Sequence, residues 1–134
     1  MAEAVLDTSA ILAVLLGEPG ADQIAAIMPR SLVSVANEAE VVTVLVRSGA
    51  KPEQAVRAVL NLAYDVVELD ADLARRAGTL WRETKPRGLS LGDRCCLALA
   101  EREKLPALTA DRHWADLKLG IEVKLFRPSR GRRP

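Results

Sequence analysis

The sequence is poor in the residue types on which several common functional sites depend. Only 3% of its 134 residues are aromatic, which leaves too few rings for a surface that stacks successive nucleic-acid bases. Two cysteines and one histidine cannot supply a zinc site built from those residues. A serine-type catalytic triad is also disfavoured, because His113 would be the one available base.

The sequence also lacks the features of secreted and membrane proteins. Cys95 and Cys96 are adjacent within an apolar run, where a bond between them would distort the backbone, so we predict buried, reduced thiols. The N-terminal segment contains Glu3 and Asp7 and has no basic start, unlike a signal peptide. No segment approaches the roughly 20 uncharged apolar residues of a membrane span. We therefore expect a cytoplasmic protein without membrane contacts.

Positive charge is concentrated at the C-terminus. Four of the 19 basic residues, Arg127, Arg130, Arg132 and Arg133, lie in the last eight positions. Residues 1–126 then hold 15 basic and 18 acidic side chains, a net charge of −3. We predict one domain over residues 1–126 and a flexible basic tail over residues 127–134. The tail is expected to aid solubility, and contact with nucleic-acid phosphates is the less favoured alternative.

Short apolar segments alternate with longer amphipathic ones. The short segments have the length and composition of buried strands, and they are residues 4–6, 32–35, 66–69, 107–109 and 123–126. The predicted helices are the longer segments, 9–16, 21–28, 37–47, 52–62, 71–84 and 91–104. The helix predicted over 37–47 includes a β-branched run, which we interpret as buried. Pro52, Asp70 and the Ser90 to Asp93 spacing are good helix-start signals. The alternation predicts an α/β fold with a parallel sheet between helices.

Several aspartates follow the predicted strands or open the adjacent helix. Asp7 ends the first strand, and Asp111 follows the fourth. Asp93 opens the helix before that fourth strand, and Asp116 lies five residues after Asp111. Helix capping explains each of them singly. Because the carboxyl ends of parallel strands share one edge of the sheet, the set also predicts a group of converging carboxylates.

Converging carboxylates repel one another unless a cation lies between them. A site of oxygen ligands without cysteine or histidine suits Mg²⁺ or Mn²⁺. Such an ion activates water and stabilises a leaving oxygen, which is the chemistry of phosphodiester cleavage.

Four segments of the chain occur in the order that one nuclease family shows. They are residues 5–12 (VLDTSAIL), 34–42 (SVANEAEVV), 89–100 (LSLGDRCCLALA) and 108–114 (LTADRHW). In these segments the sequence resembles the PIN-domain ribonucleases and, among them, the VapC-type toxins of bacterial toxin-antitoxin pairs. The resemblance covers about residues 4–126 and implies a PIN-like three-layer α/β domain with a central parallel sheet.

The resemblance implies a role for each residue that matches the family pattern. The catalytic acids would be Asp7, Glu40, Asp93 and Asp111. Asp7, Asp93 and Asp111 would bind the metal, and Asp116 would shape a second, weaker position. Thr8, Ser9 and Thr109 match hydroxyls that support the acids.

Glu40 depends on the resemblance more than on the sequence pattern. A helical wheel places it on a stripe with Thr43 and Arg47 that reads as solvent-exposed. Glu38, two residues earlier, faces elsewhere on the same helix and is the alternative.

Basic residues are also frequent just before the segment that contains Asp93. They are Arg75, Arg76, Arg82, Lys85, Arg87 and Arg94. A solvated helix face and a phosphate-binding surface explain this cluster equally well, and we predict substrate contacts for Arg82, Lys85, Arg87 and Arg94. We expect His113 to be a surface residue, and Trp81 and Trp114 to be packing residues.

The resemblance implies a Mg²⁺- or Mn²⁺-dependent endoribonuclease that cuts RNA and inhibits growth. It would form homodimers and be neutralised by a cognate VapB-type antitoxin. One alternative is a receiver-like signalling domain with Asp70 as phosphoacceptor, although such domains carry adjacent acids after the first strand and this chain has Asp7 alone. The other is a PIN-like interaction protein without catalysis.

Overall fold

Five parallel strands form the central sheet in the computed structural model, which describes residues 1–127. They are β1 (Ala4–Leu6), β2 (Ser31–Ser34), β3 (Asp65–Val67), β4 (Ala107–Thr109) and β5 (Val123–Leu125). Their order across the sheet is β3-β2-β1-β4-β5, and every neighbouring pair is parallel. All carboxyl ends therefore lie at one edge, with β1 and β4 side by side. The predicted tail beyond Arg127 lies outside the described residues.

Seven α-helices connect the strands within the described residues. They are α1 (Thr8–Leu16), α2 (Ala21–Ile27), α3 (Val35–Arg47), α4 (Pro52–Leu60), α5 (Ala71–Thr79), α6 (Trp81–Thr84) and α7 (Leu91–Glu103). Short 3-10 helices span Met28–Arg30, Lys85–Arg87 and Arg112–Asp116.

The sheet separates two hydrophobic cores. Leu6 and Val33 pack on one side with residues of α1 to α4, including Ile11. Val5 packs on the other side with residues of α5 and α7 and with Trp114, which is fully buried. Successive residues of β1 thus enter opposite cores, as strand geometry requires. The predicted three-layer α/β fold is confirmed.

Most of the predicted helix starts are confirmed by their hydrogen bonds. Asp70 accepts from the Leu73 amide at 2.8 Å at the start of α5. Ser90 and Asp93 form a reciprocal capping box at the start of α7. Pro52 occupies the first turn of α4.

The structure differs from the sequence predictions in three places. The predicted helix 71–84 breaks after Thr79, where Gly78 weakens the helix and the Thr79 hydroxyl bonds the Arg76 carbonyl at 3.0 Å. In α3, the β-branched run is helical as predicted, but Val41 is its one fully buried residue. Trp81 is 53% exposed instead of packed, because the short helix α6 turns it away from the core.

The cysteines and the apolar helices have the placement that the composition predicts. Cys95 and Cys96 are both free and buried in α7. Among the described residues, no individual helix is both long enough and apolar enough to cross a membrane. Helix α1 and residues 21–30 meet these criteria only when taken together, and the two segments are bent by 111° relative to each other.

Candidate functional site

A cavity of about 490 Å³ opens where β1 and β4 end. Its lining includes all four acids of the predicted quartet, Asp7, Glu40, Asp93 and Asp111, together with Thr8 and Ser9. Asp7 follows β1 directly, and Asp111 lies two residues beyond β4. The adjacency of the two strands thus brings together acids that are more than a hundred residues apart in the sequence.

Asp7 is the most deeply buried acid of the cavity. Its Oδ1 accepts hydrogen bonds from the Ser9 hydroxyl at 2.6 Å and the Ala10 amide at 3.0 Å, and its Oδ2 accepts from the Thr109 hydroxyl at 2.5 Å. Burial raises the pKa of Asp7 from 3.8 to about 6, although these three bonds act in the opposite direction, and the charge of Asp93 adds to the increase. The carboxylate is therefore held in place but is costly to keep ionised.

The hydroxyls that support Asp7 also join β1 to β4. Ser9 accepts from the Ala110 amide at 2.9 Å, and Thr109 accepts from the Asp111 amide at 3.0 Å. The same two side chains that hold Asp7 thus fix the turn that presents Asp111.

Asp93 and Asp111 each cap a helix and line the cavity at once. Asp93 Oδ2 accepts from the Ser90 amide at 2.9 Å, and Asp111 Oδ1 accepts from the His113 amide at 2.9 Å. Burial raises the pKa of Asp93, and the neighbouring charges of Glu40 and Asp111 raise it further. Capping and membership of an acidic site are therefore compatible explanations of these residues.

Glu40 reaches the cavity from α3 through contacts distant in sequence. Its Oε1 accepts from the Thr8 hydroxyl at 2.6 Å and from the Asn37 amide nitrogen at 3.3 Å. That nitrogen also lies 3.1 Å from the Thr8 hydroxyl and 3.3 Å from the Gly92 carbonyl. Asn37 therefore ties α3 to α1 and α7 around the Glu40 carboxylate. Glu38, the alternative, instead accepts from the Tyr64 hydroxyl at 2.6 Å.

Gly92 leaves the space that the Glu40 carboxylate occupies. A Cβ atom at this position would overlap both Glu40 oxygens. The first turn of α7 therefore approaches Glu40 more closely than any other residue type would allow.

The donor set fits a hard divalent cation. All four acids offer oxygen, and Asp93 lies near enough to Glu40 and Asp111 for their charges to raise its pKa. Across residues 1–127, no three His, Cys, Asp or Glu side chains stand in a ready-made metal-binding arrangement. The carboxylates therefore line the cavity without forming a complete coordination sphere.

Comparison with known proteins assigns the fold to one family. The sequence profile described as PIN domain matches residues 4–119. The chain belongs to the PIN-domain family. No curated protein matches this PIN domain significantly.

Solved structures that resemble this PIN domain include VapC-type toxins. A toxin-antitoxin complex from Klebsiella pneumoniae is 25% identical, with a TM-score of 0.72 over 92% of this chain and 98% of the other. The VapBC-5 toxin-antitoxin structure from Mycobacterium tuberculosis is 28% identical, with a TM-score of 0.63 over 96% and 100%. A sarcin-ricin loop cleaving VapC toxin from the same organism is 22% identical, with a TM-score of 0.70 over 89% and 98%.

Other predicted site residues of the PIN domain do not line the acidic cavity. Asp116 forms an ion pair with Arg87. Arg94 Nη1 donates to the Ala77 carbonyl at 2.9 Å, and Lys85 Nζ lies 5.2 Å from the centre of the exposed Trp81 ring. Arg82 is exposed outside the cavity, as is His113, whose Nδ1 lies 3.3 Å from Asp111. None of these predicted substrate-binding residues thus lines the acidic cavity.

Two residues that position Glu40 are not evident from the sequence. Asn37 and Gly92 act on Glu40 through contacts between helices that no local pattern encodes. The one available signal is the spacing of Asn37 and Glu40, three residues apart on one helix face.

Replacing Gly92 by alanine should displace Glu40 and lower stability. The added methyl group requires the carboxylate to leave Thr8 and Asn37, so we expect a free energy of unfolding about 1–2 kcal/mol below that of a matched control. The control is Gly78→Ala, because Gly78 is also helical but a Cβ there meets no atom within 4 Å. Urea unfolding measures both variants, and equal stability would contradict the role of Gly92.

The buried charge of Asp7 predicts an unusual pH dependence of the metal-free protein. Its folded pKa of about 6 exceeds the ordinary 3.8, so the folded protein binds this proton more tightly than the unfolded chain. The stability that protonated Asp7 contributes is therefore lost as the pH rises through 6. From about pH 7 down to about pH 4, the wild type should gain up to about 3 kcal/mol relative to Asp7→Asn. Urea unfolding in chelator tests this, and a pH-independent difference would contradict it.

Proposed function

We propose that this PIN domain is a Mg²⁺- or Mn²⁺-dependent endoribonuclease. The observation that supports the proposal is the convergence of Asp7, Glu40, Asp93 and Asp111 on one cavity at the carboxyl edge of the sheet. The family match supports it independently, because its profile spans the segments that contain these acids.

We propose two roles for these four acids. Asp7, Asp93 and Asp111 would hold the cation, which when bound supplies positive charge to the phosphate oxygens and to an attacking water. Glu40 would accept a hydrogen bond from that water and orient it toward phosphorus, because Thr8 and Asn37 fix its other oxygen. Asp116 is not needed for this arrangement, since it is paired with Arg87 outside the cavity lining.

The hydroxyl residues would keep the acids in position during the reaction. Ser9 and Thr109 donate to opposite oxygens of Asp7, which restricts rotation of its carboxylate. They also reduce the cost of its negative charge when no cation is present. The protein would thus supply an organised anionic site at little cost in reorganisation.

The biological role follows from the neighbours of the fold. The Klebsiella pneumoniae structure is a toxin-antitoxin complex, and one Mycobacterium tuberculosis toxin cleaves the sarcin-ricin loop. We propose by analogy that this protein is a cytoplasmic, growth-inhibiting toxin with RNA as substrate, a cognate VapB-type antitoxin as inhibitor and a homodimer as its working form.

The two alternative functions have weaker support. A receiver-like domain would need Asp70 as a phosphoacceptor within a group of acids, but Asp70 accepts from the Leu73 amide and from Arg102 and is not part of the acidic cavity. A PIN-like protein without catalysis would not need four acids around one cavity, and a cleavage assay separates it from a nuclease.

Asp93→Asn should abolish most RNA cleavage while the fold survives. Asparagine keeps the size of the side chain and part of its capping ability but removes an anionic ligand. We expect cleavage of total bacterial RNA in Mn²⁺ to fall by about two orders of magnitude or more, as measured by mapping and counting new RNA ends.

The matched control is Asp22→Asn. Asp22 lies in the first turn of α2, is exposed and is outside the acidic cavity, so this variant should cleave like the wild type. Full activity of Asp93→Asn would contradict the role of Asp93. An inactive wild type in both Mg²⁺ and Mn²⁺ would contradict the nuclease function itself.

A further inference from the structure

Arg47 is the one cation among the described residues that line the acidic cavity. It lies at the C-terminal end of α3, seven residues after Glu40, and Thr43 lies between them on the same helix face. This is the stripe that a helical wheel assigns to solvent. In the structure, Thr43 and Arg47 are exposed as this assignment predicts, and the stripe also forms one wall of the open cavity.

The Arg47 side chain is available to a ligand. It is exposed, and it makes no hydrogen bond or ion pair with any of residues 1–127. By contrast, Arg87 and Arg94, two cations of the basic cluster, already bind Asp116 and the Ala77 carbonyl. Arg47 is therefore a free guanidinium beside four carboxylates that does not neutralise any of them.

The negative charge of the cavity opposes the binding of RNA unless positively charged groups offset it. Four carboxylates repel the phosphodiester that a nuclease must bind, and one divalent cation offsets only part of that charge. A guanidinium supplies positive charge together with paired donors that match phosphate oxygens. The cavity wall offers this combination at Arg47 alone among its described residues.

The spacing along α3 indicates which phosphate Arg47 reaches. Seven residues of helix separate the Cα atoms of Glu40 and Arg47 by about 10 Å. The backbone of Arg47 is thus displaced along the cavity wall from that of Glu40. We propose that Arg47 binds an RNA phosphate flanking the scissile one, an inference that rests on the proposed endoribonuclease function.

A purely structural role is the competing explanation. Arg47 lies in the last turn of α3, where a cation interacts favourably with the helix dipole. Arg57 also lies in the last turn of its helix, α4, is also exposed and lies outside the cavity. Arg57→Ala therefore reproduces the loss of a helix-end cation without the loss of a cavity cation.

The test compares RNA binding by the two variants. Each is combined with Asp93→Asn to keep the RNA intact, and fluorescence anisotropy of a labelled single-stranded RNA is measured in Mg²⁺ over a range of KCl concentrations. We expect Arg47→Ala to weaken binding about tenfold and to reduce the log-log salt slope by about 0.7. Arg57→Ala should leave both unchanged, and Arg47→Lys should keep the slope.

A kinetic readout in the otherwise wild-type protein complements the binding data. Loss of a contact remote from the reacting atoms should raise KM about tenfold and leave kcat nearly unchanged. If Arg47→Ala matches Arg57→Ala in slope and KM while the wild type cleaves RNA, the inference about Arg47 is wrong and the proposed function stands. If the wild type neither binds nor cleaves RNA, the proposed function fails, and the inference fails with it.

Discussion

The main physical constraint on this structure is the placement of four acidic side chains around one cavity at the carboxyl edge of a parallel sheet. Two of the acids follow adjacent strands, so the topology itself brings Asp7 and Asp111 together. Burial opposes ionisation of Asp7, and the hydroxyls of Ser9 and Thr109 partly compensate. Because those hydroxyls also bind the turn after β4, the same interactions hold the acid and the sheet edge in place. Stability and site geometry are therefore properties of one network.

The two helices that complete the site are shaped by the same constraint. Helix α7 begins with a capping box that uses Asp93, so the helix start and the acid occupy one position. Helix α3 approaches α7 closely because Gly92 has no side chain, and Asn37 bridges the contact. A larger residue at position 92 would displace the Glu40 carboxylate, and an apolar residue at position 37 would remove one of its hydrogen bonds. The close approach of α3 and α7 at the site thus depends on one small residue and one polar residue.

Much of the fold and part of the site could be predicted from the sequence. Short β-branched strands, capping signals and acids after strands are local patterns, and they place Asp7, Asp93 and Asp111 correctly at the sheet edge or at the start of α7. Glu40 and its partners depend on contacts between residues distant in sequence, which local patterns do not encode. The basic residues of positions 82–94 are close in sequence, but none of them lines the acidic cavity, and Arg87 and Arg94 are bound to protein groups. Arg47 is exposed, as its helical stripe predicts, but the sequence does not show that this exposed stripe lines the acidic cavity.

The most direct test of the account is the response of stability to a divalent cation. If the four acids form one site, Mn²⁺ at about 100 times its dissociation constant should add roughly 2.7 kcal/mol to the free energy of unfolding. In chelator, Asp111→Asn should be at least as stable as the wild type, because the removal of one charge relieves the other three. Thermal melts of both proteins, in chelator and in Mn²⁺, measure these quantities. A wild type that does not respond to Mn²⁺, together with a destabilised Asp111→Asn variant, would show that the acids are helix caps and not a metal site.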